Sequence, residues 1–161
     1  MLIEWTPDLD TGIEIIDNQH KKIVEYINQL SVSIQKSDRN RVGQVLNELA
    51  DYTISHLDFE EALLEKVHYS HLKPHKGLHE MFVKRLEKFQ QRHNSDEDVA
   101  EQLINMLSAW LVHHIKQSDM AYVSSVGDQL QMIVQSKKRE GWLNSALARF
   151  FHRPRQSARS V

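Results

Sequence analysis

Residues 99–119 read VAEQLINMLSAWLVHHIKQSD, and their apolar members Val99, Leu103, Ile104, Leu107, Leu111 and Ile115 recur at steps of three and four. One stripe at that spacing marks an amphipathic helix laid against a core. Just upstream, Ser95-Asp96-Glu97-Asp98 resembles a capping box that would open this helix. The same spacing occurs three more times toward the N-terminus. Leu78, Phe82, Leu86 and Phe89 form a stripe ending near Arg92, with Pro74 suited to the first turn. A break at residues 69–73 separates it from a longer helix carrying Val42, Val45, Leu46, Leu49, Tyr52, Ile54, Leu57, Ala62 and Leu64 and running to about Val67. Ser37, Asp38 and Asn40 interrupt the chain before that. Ile23, Ile27, Leu30 and Ile34 then define a first helix with Asp17 as its N-cap. Residues 1–16, with Pro7 and Gly12, read as an ordered arm. Four amphipathic helices on short links predict an all-α fold, an up-down-up-down four-helix bundle.

Composition narrows the chemistry. The chain of 161 residues has no cysteine, which excludes disulfides, thiolate metal sites and cysteine nucleophiles together. Five glycines and three prolines leave little turn chemistry for a many-stranded sheet. Ten histidines are many for this length, and histidine is the commonest metal ligand. Charge is divided unevenly. Residues 137–161 carry seven basic residues against Glu140 alone, while the remainder carries 13 basic and 21 acidic ones. An acidic body of this kind does not suit nucleic acid. The N-terminus lacks the pattern of a signal peptide, and no apolar run approaches the ~20 residues that span a bilayer, so a cytoplasmic location is expected.

The histidines fall in a pattern. His56 and Glu60 are four apart on the second helix, and His75 and His79 four apart on the third, so each pair shares a face. His20 lies in the first turn of the first helix, and His114 and Asp119 lie near the end of the fourth. In an up-down-up-down bundle all seven occupy one layer at one end. Five imidazoles and two carboxylates suit two metal ions, and a nitrogen-rich set suits iron better than calcium or magnesium. The five-residue step from His114 to Asp119 turns about 140° in a regular helix. Asp119 must either reach around or be brought back by a π-type widening. His68, His71, His93 and His152 are expected to be exposed or peripheral. His113 points about 100° away from His114, and Glu61 and Glu65 read as solvated charges.

The segments Asp17-Asn18-Gln19-His20-Lys21, His56-Leu57-Asp58-Phe59-Glu60-Glu61, His75-Lys76-Gly77-Leu78-His79 and Trp110-Leu111-Val112-His113-His114-Ile115 followed by Asp119 resemble the hemerythrin family, in particular the single-domain bacteriohemerythrins. The resemblance covers about residues 3–123. It implies two non-haem iron ions, one held by His75, His79 and His114 and the other by His20 and His56 with a position open. Glu60 and Asp119 would bridge them together with an oxo or hydroxo group. It further implies reversible dioxygen binding for storage, delivery or sensing, without catalysis, and makes Trp110 and Leu111 candidates for an apolar oxygen pocket. A di-iron enzyme or stress protein handling peroxide or nitric oxide is the alternative. Ferritin-like oxidases are disfavoured, since Glu65 and His68 make a single Glu-x-x-His match.

The expected division is a bundle over residues 1–125 and a basic amphipathic tail over 126–161. Leu130, Ile133 and Val134 suggest continued helix, and Trp142, Leu143, Ala146, Leu147, Phe150 and Phe151 form a second stripe flanked by basic residues. That stripe either packs on the bundle or on a second copy, or residues 137–153 meet an anionic membrane surface or a partner's groove. Residues 153–161 are expected to be disordered.

Overall fold

The computed structural model describes residues 2–136 and 140–151, Glu140 by its backbone alone. All regular structure among them is helical: a 3₁₀ turn at Pro7–Leu9, then α1 (Glu14–Gln35), α2 (Arg39–Lys66), α3 (Leu72–Asn94) and α4 (Ala100–His113). A π-helical segment, His114–Asp119, joins α4 to α5 (Met120–Gln135), and α6 (Glu140–Phe151) follows. The basic cluster at 137–139 and the expected disordered end lie outside the described residues.

α1 starts three residues before the expected cap, with Ile13 at its N-cap. Asp17 instead sits in the first turn and reaches back. It accepts from the Thr11 backbone N–H at 2.8 Å, the Thr11 hydroxyl at 2.7 Å and the Gly12 N–H at 3.1 Å. Gly12 has φ +81°, so this carboxylate holds the left-handed corner where the arm enters the helix. Replacing Asp17 with alanine is expected to cost about 1–3 kcal/mol, because these donors lose their acceptor in a buried corner. Chemical denaturation measures this, and an unchanged midpoint would show that the arm is held by other means.

Asp38 does cap α2, accepting from the Arg41 N–H at 2.9 Å, and Pro74 lies in the first turn of α3. Residues 95–98 do not form the expected capping box. Ser95 serves as the C-cap of α3, Glu97 is drawn to the Arg92 guanidinium at 2.7 Å, and Val99 takes the N-cap of α4. The preceding helix takes Ser95 and Glu97, and of the four only Asp98 serves the next one, its Oδ1 accepting from the Ala100 N–H at 3.3 Å. Leu78 also departs from the expected stripe: it is 47% exposed, while Phe82 and Leu86 are buried.

Contacts at both ends of each pair fix the helix directions. Gln19 meets His56 while Gln29 meets Arg41, so α1 and α2 are antiparallel. Glu60 meets His75 while Asn47 meets Gln90, which sets α3 against α2. His79 meets His114 while Arg92 meets Gln102, which sets α4 against α3. One apolar cluster, built on Ile23, Ile27, Leu30, Leu46, Leu49, Leu86 and Leu107, fills the bundle. A second cluster joins Ile13, Ile16, Phe59, Leu63 and Tyr122 to Leu130, Leu143, Ala146 and Phe150. The stripe of α6 therefore packs back onto α2, where Phe151 meets both Phe59 and Tyr52. No helix among the described residues is long and apolar enough to cross a membrane.

Candidate metal centre

The antiparallel order brings the start of α1, the end of α2, the start of α3 and the π segment to one level. All seven expected side chains meet there. His20, His56, Glu60, His75, His79, His114 and Asp119 are each buried. The five-residue step from His114 to Asp119 is resolved by the π segment, whose i→i+5 bonding stacks residues five apart. Ligand atoms of Glu60, His75, His79 and His114 converge within 4.8 Å of one another, and those of His20, His56 and Glu60 form a second such group. Asp119 spans the two, with Oδ1 3.0 Å from His114 Nε2 and Oδ2 3.3 Å from His20 Nε2. Despite these distances, His20 Nε2, His56 Nε2 and both Asp119 oxygens make no well-directed hydrogen bond. Buried polar atoms left in that condition are costly unless something else satisfies them.

The rings are held from outside. His56 Nδ1–H donates to Gln19 Oε1 at 2.8 Å, and His79 Nδ1–H donates to Glu61 Oε1 at 2.7 Å. Each bond turns the ring's Nε2 inward, without a partner in His56 and between Glu60 and His114 in His79. The Tyr122 hydroxyl, fully buried, donates to Glu60 Oε2 at 3.0 Å. Sequence reasoning missed all three roles. Glu61, expected to be a solvated charge, has a side chain only 18% exposed. Tyr122 could have been noticed, since it follows Asp119 by three and so shares its face. His113 is exposed and turns away from the centre, and His93 is half-buried at the far end beside Gly43.

The walls are apolar. Trp110 lies flat on the His114 ring, centroids 4.6 Å apart, and stacks on Phe82 at 3.6 Å. Leu111 and Ile115 are buried beside His114, and Leu9 of the arm belongs to the same apolar cluster. Trp5 stacks over His20 at 6.3 Å, and Asp8 pairs with Lys116 of the π segment, so the arm closes this side.

Charge in the metal-free centre is divided. Burial would raise the Glu60 carboxyl, but hydrogen bonds from His75 and His79 outweigh it and hold the group well below its ordinary range. Burial, then His20, pushes His56 down to about 3. Burial would also lower His79, yet Glu60 and Glu61 hold it up at about 9. Near neutrality His79 therefore carries a proton and His56 does not. A metal ion at His79 must displace that proton, so its affinity is expected to climb with pH up to about 9, by at most about tenfold per unit. His79 and His56 make opposite contributions to folding stability without metal. That of His79 is full below the unfolded value of 6.5 and is lost as pH rises through about 9. That of His56 is lost as pH falls from 6.5 toward about 3, because the unfolded chain takes up a proton that the folded one refuses. Chelator competition across pH checks the affinity, and a flat profile would contradict the assignment of charge.

These features define a class: a helical bundle whose closed, histidine-rich centre is built to hold metal ions. The profile of the hemerythrin HHE cation binding domain matches residues 11–125, and the chain belongs to the hemerythrin family. It is 42% identical over 147 residues to the bacteriohemerythrin of Pseudomonas aeruginosa (strain UCBPP-PA14), covering 91% of this chain and 96% of that one. The bacteriohemerythrin of Stenotrophomonas maltophilia (strain R551-3) is 41% identical over 150 residues, covering 93% and 98%. Alignments that long reach into α6, so these relatives share much of the segment beyond the family profile. A crystal structure of hemerythrin, a leucine-to-alanine variant, superposes with a TM-score of 0.72 at 28% identity, covering 75% of this chain and 94% of that one.

Proposed function

We propose that this chain binds dioxygen reversibly at a non-haem di-iron centre and serves in oxygen storage, delivery or sensing, not catalysis. The observation that carries this reading is the centre itself: seven buried side chains, six of them in two converging groups that share Glu60 and the seventh, Asp119, between the groups, with His20 Nε2, His56 Nε2 and both Asp119 oxygens lacking hydrogen bonds. The donor set fits the metal pair. Five imidazoles with two carboxylates suit iron, and the outer bonds from His56 and His79 aim each Nε2 inward, ready to ligate in His56 and, once its proton is displaced, in His79. His75, His79 and His114 would hold one iron, His20 and His56 the other, and Glu60 and Asp119 would bridge them. When bound, such a pair supplies two electrons reversibly to one dioxygen.

The chain's own part is to shape and dry the site. Trp110 and Leu111 would line the oxygen pocket, with Phe82 backing the indole and keeping it flat on His114. Leu9 and Trp5 would keep water and free protons out on the arm's side. Tyr122 would hold Glu60 in one orientation through its single donated bond. The family's bacteriohemerythrin members, matched over nearly their whole length, support the same reading.

The test is turnover. Iron-loaded protein is given a reductant with dioxygen, peroxide or nitric oxide in turn. A stable oxygen adduct with slow oxidation and no sustained consumption of reductant is expected. Sustained consumption would replace this reading with the di-iron enzyme.

A further inference from the structure

The two halves of the centre differ in what stands behind their histidines. His79 donates its outer N–H to a carboxylate, Glu61, at 2.7 Å, whereas His56 donates to a neutral amide oxygen, Gln19, at 2.8 Å. A carboxylate acceptor draws the ring proton more strongly than an amide does, and so makes the opposite nitrogen the better donor to a metal. Glu61 is largely withdrawn from solvent, which leaves its charge poorly screened, and Lys76 steadies it from outside at 3.6 Å. Neither Glu61 nor Gln19 belongs to the converging ligand groups. Each is the chain neighbour of a ligand, about 100° around its helix, so it acts on the metal through a histidine of another helix.

We propose that Glu61 and Gln19 are positioning residues that grade the two metal positions: the one at His79 fills first and empties last, and the one at His56 is the weaker. The inference rests on the two-metal reading above. Ligand number, three imidazoles against two, would grade the positions in the same order, so the test must vary the outer partners alone.

Metal-free full-length protein is titrated with Co²⁺ against a competing chelator, following the visible bands of the bound ion, with circular dichroism to confirm folding. Wild-type protein is expected to bind two ions in separate steps. Glu61→Gln, which keeps the hydrogen bond and removes the charge, is expected to weaken the first step about 10–100-fold and leave the second within about twofold. Gln19→Glu is expected to strengthen the second step and narrow the gap. Unchanged steps in a folded Glu61→Gln protein, or equal weakening of both, would overturn the grading while leaving the two-metal reading intact. Wild-type protein that binds fewer than two ions would overturn both. Should Glu61→Gln fail to fold, Gln19→Glu decides: an unaltered second step overturns the proposal.

Discussion

Replacing Glu60 with alanine is expected to reduce metal binding from two ions per chain to one at most. Glu60 is the side chain common to both ligand groups, so its loss strikes each position at once. Its Oε1 lies 2.8 Å from His75 Nε2 and 3.4 Å from His79 Nε2, while Oε2 takes the Tyr122 hydroxyl. Without the carboxylate, two cations would face each other with only Asp119 to offset their charge. The variant also leaves the Tyr122 hydroxyl and His75 without a partner in a buried space, a cost of about 1–3 kcal/mol for each. Glu60→Gln separates the effects, since it preserves much of the shape and removes the charge. Metal content by atomic emission, with circular dichroism as the folding control, gives the answer. Two ions retained in Glu60→Ala would mean that the carboxylate does not join the halves.

The second large effect concerns the tail. Phe59, fully buried on α2, stands between the centre and α6, and its ring meets Phe151 edge-on at 5.9 Å. Phe59→Ala is expected to cost about 3–5 kcal/mol, from lost burial and the cavity left behind. Part of that cost should depend on the tail. Combined with Phe151→Ala, the double variant is expected to depart from additivity by about 0.5–1.5 kcal/mol. Denaturation midpoints of the four proteins supply the cycle. Strict additivity would mean that α6 is not docked on α2 in solution, and would return its apolar stripe to a surface or partner role.

What the sequence made legible was whatever depends on position along one helix. Apolar stripes at steps of three and four yielded four helices, and the same arithmetic aligned His56 with Glu60 and His75 with His79. The π segment was half legible: the five-residue step signalled an anomaly at Asp119, but its form depended on the fold. Features that rest on relations between helices were hidden. Glu61 looks solvated on α2 alone and becomes a hydrogen-bond acceptor only because α3 carries His79 past it. Leu78 continues its stripe by spacing, yet it faces outward because α3 covers only a narrow face. Residues 95–98 carried the letters of a helix start, but Ser95 and Glu97 were already committed to ending α3, and only Asp98 reaches the first N–H of α4. The tail's amphipathy was plain, whereas its docking depended on Phe59 and Leu63 having an open flank to receive it.

The most direct test of the account is made on reduced, anaerobic protein. Iron per chain is counted, and the visible spectrum is followed as oxygen is admitted and then removed. Two irons are expected, with a charge-transfer band that appears with oxygen and disappears without it. Two irons that oxidise at once with no reversible band would contradict oxygen carriage. Absence of iron would contradict the centre itself.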